Sequence, residues 1–138
     1  MGVSRDLGFS AAERSENLRR VSEVARLVNN QGIIAIAALV APEHEVRRRS
    51  RELVGTDRYV EVFVDTPVEA CRERDQTGLY ELADKGEIPD FPGVSADYER
   101  PTDMDLRLDL STQTVDDSIG QILRLLGDRG FLRGPSSL

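Results

Sequence analysis

A chain of 138 residues, 39% hydrophobic and 31% charged, has the composition of a folded domain with one compact core. A net charge of −7 argues against nucleic-acid binding by phosphate neutralisation, although a local arginine cluster can still hold a small anion. One cysteine, Cys71, and one histidine exclude an internal disulfide and an ordinary structural zinc site. No apolar run reaches the length of a membrane span and the N-terminus has no signal-peptide pattern, so the expected location is the cytoplasm.

Ser10 followed by Glu13 has the spacing of a capping box, in which hydroxyl and carboxylate satisfy free N–H groups at a helix start. Leu18, Val21, Val24, Ala25 and Val28 then recur at helical spacing, and Gly32 is the expected stop. Residues 33–40, IIAIAALV, form a continuous apolar run that predicts a strand buried on both faces. Pro42 is placed to open a second helix through EHEVRRRSREL, with Arg47, Arg48, Arg49 and Arg51 on its solvated face. RYVEVFVDT, residues 58–66, predicts a second strand, and Thr66, Pro67 and Glu69 repeat the cap spacing of a helix start.

From Asp75 to Thr102 the pattern loosens into a long loop punctuated by Gly78, Gly86, Pro89, Pro92, Gly93 and Pro101, with a short helix in LYELADKGE. Loops of this length serve as lids or binding segments. LRLDL, residues 106–110, predicts a third strand. TVDDSIGQILRLL, residues 114–126, predicts a closing helix with Val115, Ile119, Ile122, Leu123 and Leu126 inward. Strands alternating with helices imply an α/β layered fold with a parallel sheet, whose ligands gather at the carboxyl ends of the strands. The expected organisation is one domain over residues 1–127, a lid region at 74–102, and a tail at 128–138.

The succession DLGFSAAERSENLRRVSEVA, VAP, VEVFVDTPVEACRERDQTGLY, GEIPDFPGV, YERP and LRLD resembles the adenylylsulfate kinase family. These P-loop kinases use ATP to phosphorylate the ribose 3′-hydroxyl of adenosine 5′-phosphosulfate (APS). The resemblance implies a three-layer P-loop kinase-like parallel sheet. It also implies that Phe9 of DLGF and Phe91 of DFPG sandwich the adenine of APS, while Arg14 and Asn17 hold its sulfate-bearing end. Aromatic faces stack on a base for roughly 1–3 kcal/mol each, and arginine suits a bidentate anion contact near a helix N-terminus. Read from its spacing alone, Phe9 is a hydrophobic staple for the helix that follows.

The lid stretch RDQTGLY carries the family's Arg74, Asp75, Gly78, Leu79 and Tyr80, but Thr77 stands where the family has lysine. Lys85, the single lysine, lies too far along the next helix to replace it. APEH replaces the family's S-P-x-R, so Ala41 stands for serine and His44 for arginine. As a residue at a helix start, His44 reads as an ordinary surface side chain.

The stretch G-x-x-x-x-G-K-[ST], which cradles ATP phosphates and places a hydroxyl on Mg²⁺, does not occur in the 138 residues. The family's acidic DGDN segment does not occur either. The resemblance places both before Met1, with the P-loop strand lying between residues 33–40 and 58–65. Catalytic residues and metal ligands are therefore not expected here, although the family uses ATP and Mg²⁺. The sheet is expected to lack a P-loop strand and to leave edges open. The chain should then be marginally stable, form a homo-oligomer, or be completed by a P-loop-bearing partner such as sulfate adenylyltransferase. Three readings follow: an APS kinase of sulfate assimilation, an inactive module or regulatory subunit binding APS or its 3′-phosphorylated product (PAPS), or a truncated fragment. No nucleic-acid or membrane partner is expected.

Overall fold

The computed structural model describes residues 2–132. They fall into two units, one holding the chain up to Tyr59 together with Asp75–Thr102, the other holding Val60–Arg74 and the chain from Asp103 onward.

The first unit is built on two helices, α1 (Ala11–Asn29) and α2 (His44–Val54), which pack on each other. Both halves of the predicted capping box form at the start of α1: the Glu13 N–H donates to the Ser10 hydroxyl and the Ser10 N–H to the Glu13 carboxylate. Arg14, Leu18 and Ser22 make the buried face of α1, and Arg47, Ser50 and Val54 that of α2. Burial of Arg47, only 5% exposed, corrects its expected place on the solvated face. The correction follows helix geometry: positions 47, 50 and 54 share one face. Pro42 is also not the first helical residue. It is fully buried just before α2, and Glu43 is the N-cap.

Residues 33–40 do not form the predicted buried strand. They have no regular structure and every one is exposed, with Ile36 at 91%. A doubly buried strand needs ladder partners and a covering layer. Among the described residues the sheet holds only two strands, and this segment is neither of them.

In the second unit β1 (Val62–Val64) and β2 (Leu106–Leu108) pair in parallel, Val62 opposite Leu106 and Val64 opposite Leu108. Phe63 and Leu108 are its buried side chains from these strands. The ladder is extended by the Glu61 N–H, which donates to the Asp105 carboxylate at 2.7 Å, and by the Asp65 N–H, which donates to the Leu108 carbonyl at 2.7 Å. The short helix α3 (Val68–Glu73) begins without the predicted side-chain cap, because its N-cap is Pro67, which has no side-chain acceptor; the Thr66 hydroxyl accepts from the Leu110 N–H. α5 (Val115–Asp128) starts on a capping box of Thr114 and Asp117. Its Val115, Ile119 and Leu123, expected inward, are exposed. The fold is thus α/β with a parallel sheet. The tail expected at 128–138 lies outside the described residues from 133 onward.

Candidate functional site

The predicted adenine-binding residue Phe9 ends an N-terminal arm that polar contacts fasten to α1. Arg20 reaches back to both carboxylate oxygens of Asp6 (2.6 and 2.8 Å) and to the Val3 carbonyl (2.9 Å), while also bonding Glu16 at 2.8 Å. Glu13 accepts from the Gly8 N–H at 2.8 Å, so one carboxylate caps the helix and holds the arm. Glycine fits at position 8 because a Cβ there would meet that carboxylate at 2.9 Å. These bonds favour the charged forms. The Ser10 hydroxyl and the two backbone N–H groups hold the Glu13 carboxyl below its ordinary range. Arg19 and then Arg20 lower that of Glu16 to about 2.

Phe91 is held by its own loop. The Phe91 N–H donates to the Ser95 hydroxyl at 2.9 Å, and its carbonyl accepts from the N–H groups of Val94, Ser95 and Ala96 at 3.0–3.1 Å. Asp90, just before it, has φ of 55°, a left-handed conformation rarely taken by a residue with a side chain.

Arg14 joins the arm and the loop. Its Nη1 donates to the Phe9 carbonyl at 2.8 Å and to the Asp90 carbonyl at 3.1 Å, and its Nη2 to Glu43 Oε1 at 3.2 Å. The Phe9 and Phe91 rings face each other with centroids 6.2 Å apart and planes 29° from parallel. Tyr80 meets the Phe91 ring edge-on at 5.2 Å, and the Arg14 guanidinium lies 5.4 Å from the Phe9 centroid. Phe9 is 44% exposed, so it is not a buried staple. Asn17 is one turn along from Arg14, its side-chain oxygen accepting from the Ser4 hydroxyl at 2.5 Å.

Glu43 is held opposite Arg14 by the APEH turn. Arg47 donates to the carbonyls of Ala41 (2.7 Å), Pro42 (2.9 Å) and Glu99 (2.7 Å), and the Glu99 carboxylate accepts from the His44 N–H. His44 itself is exposed. Neither Glu43 nor Arg47 is among the residues the sequence singled out for the site. The helical spacing of 47, 50 and 54 carried a signal for Arg47; Glu43 carried none.

In the lid, Asp75 accepts from the Thr77 N–H at 2.8 Å, the Thr77 hydroxyl at 2.6 Å and the Tyr80 N–H at 3.1 Å. The Thr77 hydroxyl leads the causes that hold the Asp75 carboxyl below its usual range. Gly78 takes φ of 73° and opens the short helix α4 (Leu79–Asp84), which puts Tyr80 on Phe91. Leu79 is exposed, and Lys85 is paired with Glu81 at 2.6 Å. Arg74 belongs to the other unit, where it donates to the Leu110 carbonyl at 3.0 Å. The first unit therefore brings together Phe9, Arg14, Phe91 and Tyr80, with Asn17 beside them on α1 and Asp75, Thr77 and Gly78 shaping the approach to Tyr80.

The sequence profile of the adenylylsulphate kinase family matches residues 1–109. The chain is 47% identical over 132 residues to the bifunctional enzyme CysN/CysC of Rhodopirellula baltica, a match covering 96% of this chain and 20% of that protein. It is 42% identical to the adenylyl-sulfate kinase of Bacteroides thetaiotaomicron, covering 91% of this chain and 62% of that one. The chain thus spans less than two thirds of the length of these two relatives. Among solved structures, the Mycobacterium tuberculosis APS kinase CysC in complex with AMPPNP and APS matches with a TM-score of 0.85 and 40% identity, over 91% of this chain and 73% of that one.

Proposed function

The chain belongs to the adenylylsulphate kinase family, and from that membership we propose that it forms the APS-binding side of an ATP-dependent kinase of sulfate activation. The reaction is in-line attack of the APS 3′-hydroxyl oxygen on the γ-phosphorus of ATP, releasing ADP and PAPS. The observation that carries the reading is the facing pair Phe9 and Phe91, tied by one arginine to a common geometry. In it, Phe9 and Phe91 take the adenine between their faces, Tyr80 backs Phe91, and Arg14 and Asn17 meet the sulfate-bearing end. Residues 74–80 act as lid, and residues 1–127 as one domain with a tail.

The residues present do not fit the ATP–Mg²⁺ part of that reaction. The Gly-rich lysine cradle, whose Ser or Thr hydroxyl would meet Mg²⁺, is not in the sequence. The proposal therefore assigns phosphate binding to residues other than these 138, on a longer polypeptide or a partner chain. A sulfate adenylyltransferase is the partner proposed; the bifunctional relative, five times the matched length, supports the placing of further segments on a longer polypeptide. The cytoplasm is the location that goes with this reading. No helix among the described residues is long and apolar enough to cross a membrane.

A second reading, an APS- or PAPS-binding module without turnover, is favoured by the lid. Thr77 stands where the family's lysine would, its hydroxyl is spent on Asp75, and Lys85 is spent on Glu81. An assay with γ-labelled ATP and APS separates the two. Label in PAPS, once a phosphate-binding segment is supplied, supports the kinase. Tight APS binding with no label transfer under the same conditions supports the module. Equal affinity for APS and a pyrimidine nucleotide sinks both.

A further inference from the structure

Arginine offers five N–H donors in a fixed fork, and a bidentate acceptor needs two adjacent ones. Arg14 Nη1 donates to two backbone carbonyls, those of Phe9 and Asp90. The edge left for an incoming acceptor is the one formed by Nε and Nη2. Glu43 sits on that edge, with a single oxygen, Oε1, 3.2 Å from Nη2. This is long for a bond between two charged groups, which is usually about 2.7–2.9 Å. The remaining atoms of the same edge, Arg14 Nε and Glu43 Oε2, are both buried and have no hydrogen-bond partner among the described residues. Two orphaned buried atoms, one donor and one acceptor on one ion pair, mark a half-made contact.

The backbone that carries this carboxylate is fixed in place. It lies between buried Pro42 and the first turn of α2, and Arg47 clamps the carbonyls of Ala41 and Pro42. Arg14 is buried and Glu43 is half-buried beside it, so an anion that is to reach the Nε–Nη2 edge must displace the Glu43 carboxylate and meets its like charge on the way.

We infer that Glu43 is a specificity-determining residue of this site, competing with the anionic end of the ligand for Arg14 and reducing what the site gains from a charged 5′ group. Its carboxylate leaves the aromatic pair untouched, so the affinity for the nucleoside portion does not depend on it. The inference rests on the nucleotide-site reading above and adds to it the residue that sets preference between charged and uncharged ligands.

The test is calorimetric titration of the chain and of Glu43→Gln with two probes, APS and adenosine, with unfolding curves recorded for both proteins. Glu43→Ala is the second variant, for use where Glu43→Gln does not fold. The expected result is an APS affinity raised about fivefold or more, while the adenosine affinity changes by less than about twofold. Adenosine bound by both proteins with no gain for APS overturns the inference alone. An equal gain for both probes also overturns it, since the effect would then lie in the aromatic pair. Adenosine bound by neither protein overturns the nucleotide-site reading, and this inference with it.

Discussion

Phe9 and Phe91, 82 positions apart in the chain, stand ring to ring at 6.2 Å because Arg14 holds the carbonyls of Phe9 and Asp90. A base stacked on both faces needs about 7 Å, twice the roughly 3.4 Å of stacked bases. The slot is therefore nearly open. A structure with adenosine bound should show the rings parted to about 7 Å with both Arg14–carbonyl bonds intact. Rings unmoved with the base elsewhere would contradict this.

Arg14 is expected to matter before any ligand arrives. Its guanidinium bonds three segments from a buried position, and removing it leaves two carbonyls and the Glu43 carboxylate without their donor. Arg14→Ala should cost about 2–4 kcal/mol in denaturant unfolding. Arg14→Lys should recover only part of this, because one ammonium cannot copy the fork. An unchanged midpoint for Arg14→Ala would show that the bonds do not hold the site.

Arg47 supports the same site from behind. It satisfies three carbonyls at 2.7–2.9 Å from inside the unit and lies 5.9 Å from the centre of the Tyr98 ring. Arg47→Met keeps most of the side-chain bulk and removes the donors. A loss of about 2–3 kcal/mol is expected, together with faster amide exchange at His44 and Glu99, whose N–H groups bond within the clamped turn.

The N-terminal arm should loosen with acid. The Glu13 and Glu16 carboxyls are held below the ordinary glutamate value of about 4.5, Glu16 at about 2. Below 4.5 the unfolded chain then binds more protons than the folded one, so their contribution is full above about pH 5 and is lost as pH falls toward 2. Amide exchange at Gly8 and Ser10 should be flat above pH 5, once corrected for intrinsic rates, and should rise below 4.5. Protection that grows on acidification would reverse the assigned sign.

The exposed run at residues 33–40 predicts association of the isolated chain. Ile33, Ile34, Ile36, Leu39 and Val40 all face solvent, and contiguous apolar surface with unpaired backbone drives self-pairing. Sedimentation should show mass rising with concentration, and Ile34→Thr with Ile36→Lys should suppress it. A monodisperse wild-type monomer of high thermal stability would contradict the prediction.

What could be read from the sequence was what short-range chemistry decides. Ser10 with Glu13 announced the start of α1, and 62–64 and 106–108 fell inside the expected strands. Residues 33–40 misled because an apolar run reports a wish for burial, while a strand needs neighbours that the run does not encode. Arg47 lies within a basic stretch, and only its helical spacing with Ser50 and Val54 distinguishes it from its exposed neighbours. Glu43 gave no signal, since its place opposite Arg14 depends on a turn fastened from Glu99. The pairing of Phe9 with Phe91 was legible only through resemblance to a family, as local patterns do not join such distant positions.

The most direct test of the central claim is calorimetric titration of the chain with APS, repeated with Phe9→Ala, Phe91→Ala and the double variant. Saturable binding is predicted, weakened by about 1–3 kcal/mol for each single substitution, with the double variant losing less than the sum because one base bridges both rings. A folded chain that does not bind APS, or variants that bind it as the wild type does, would contradict the account.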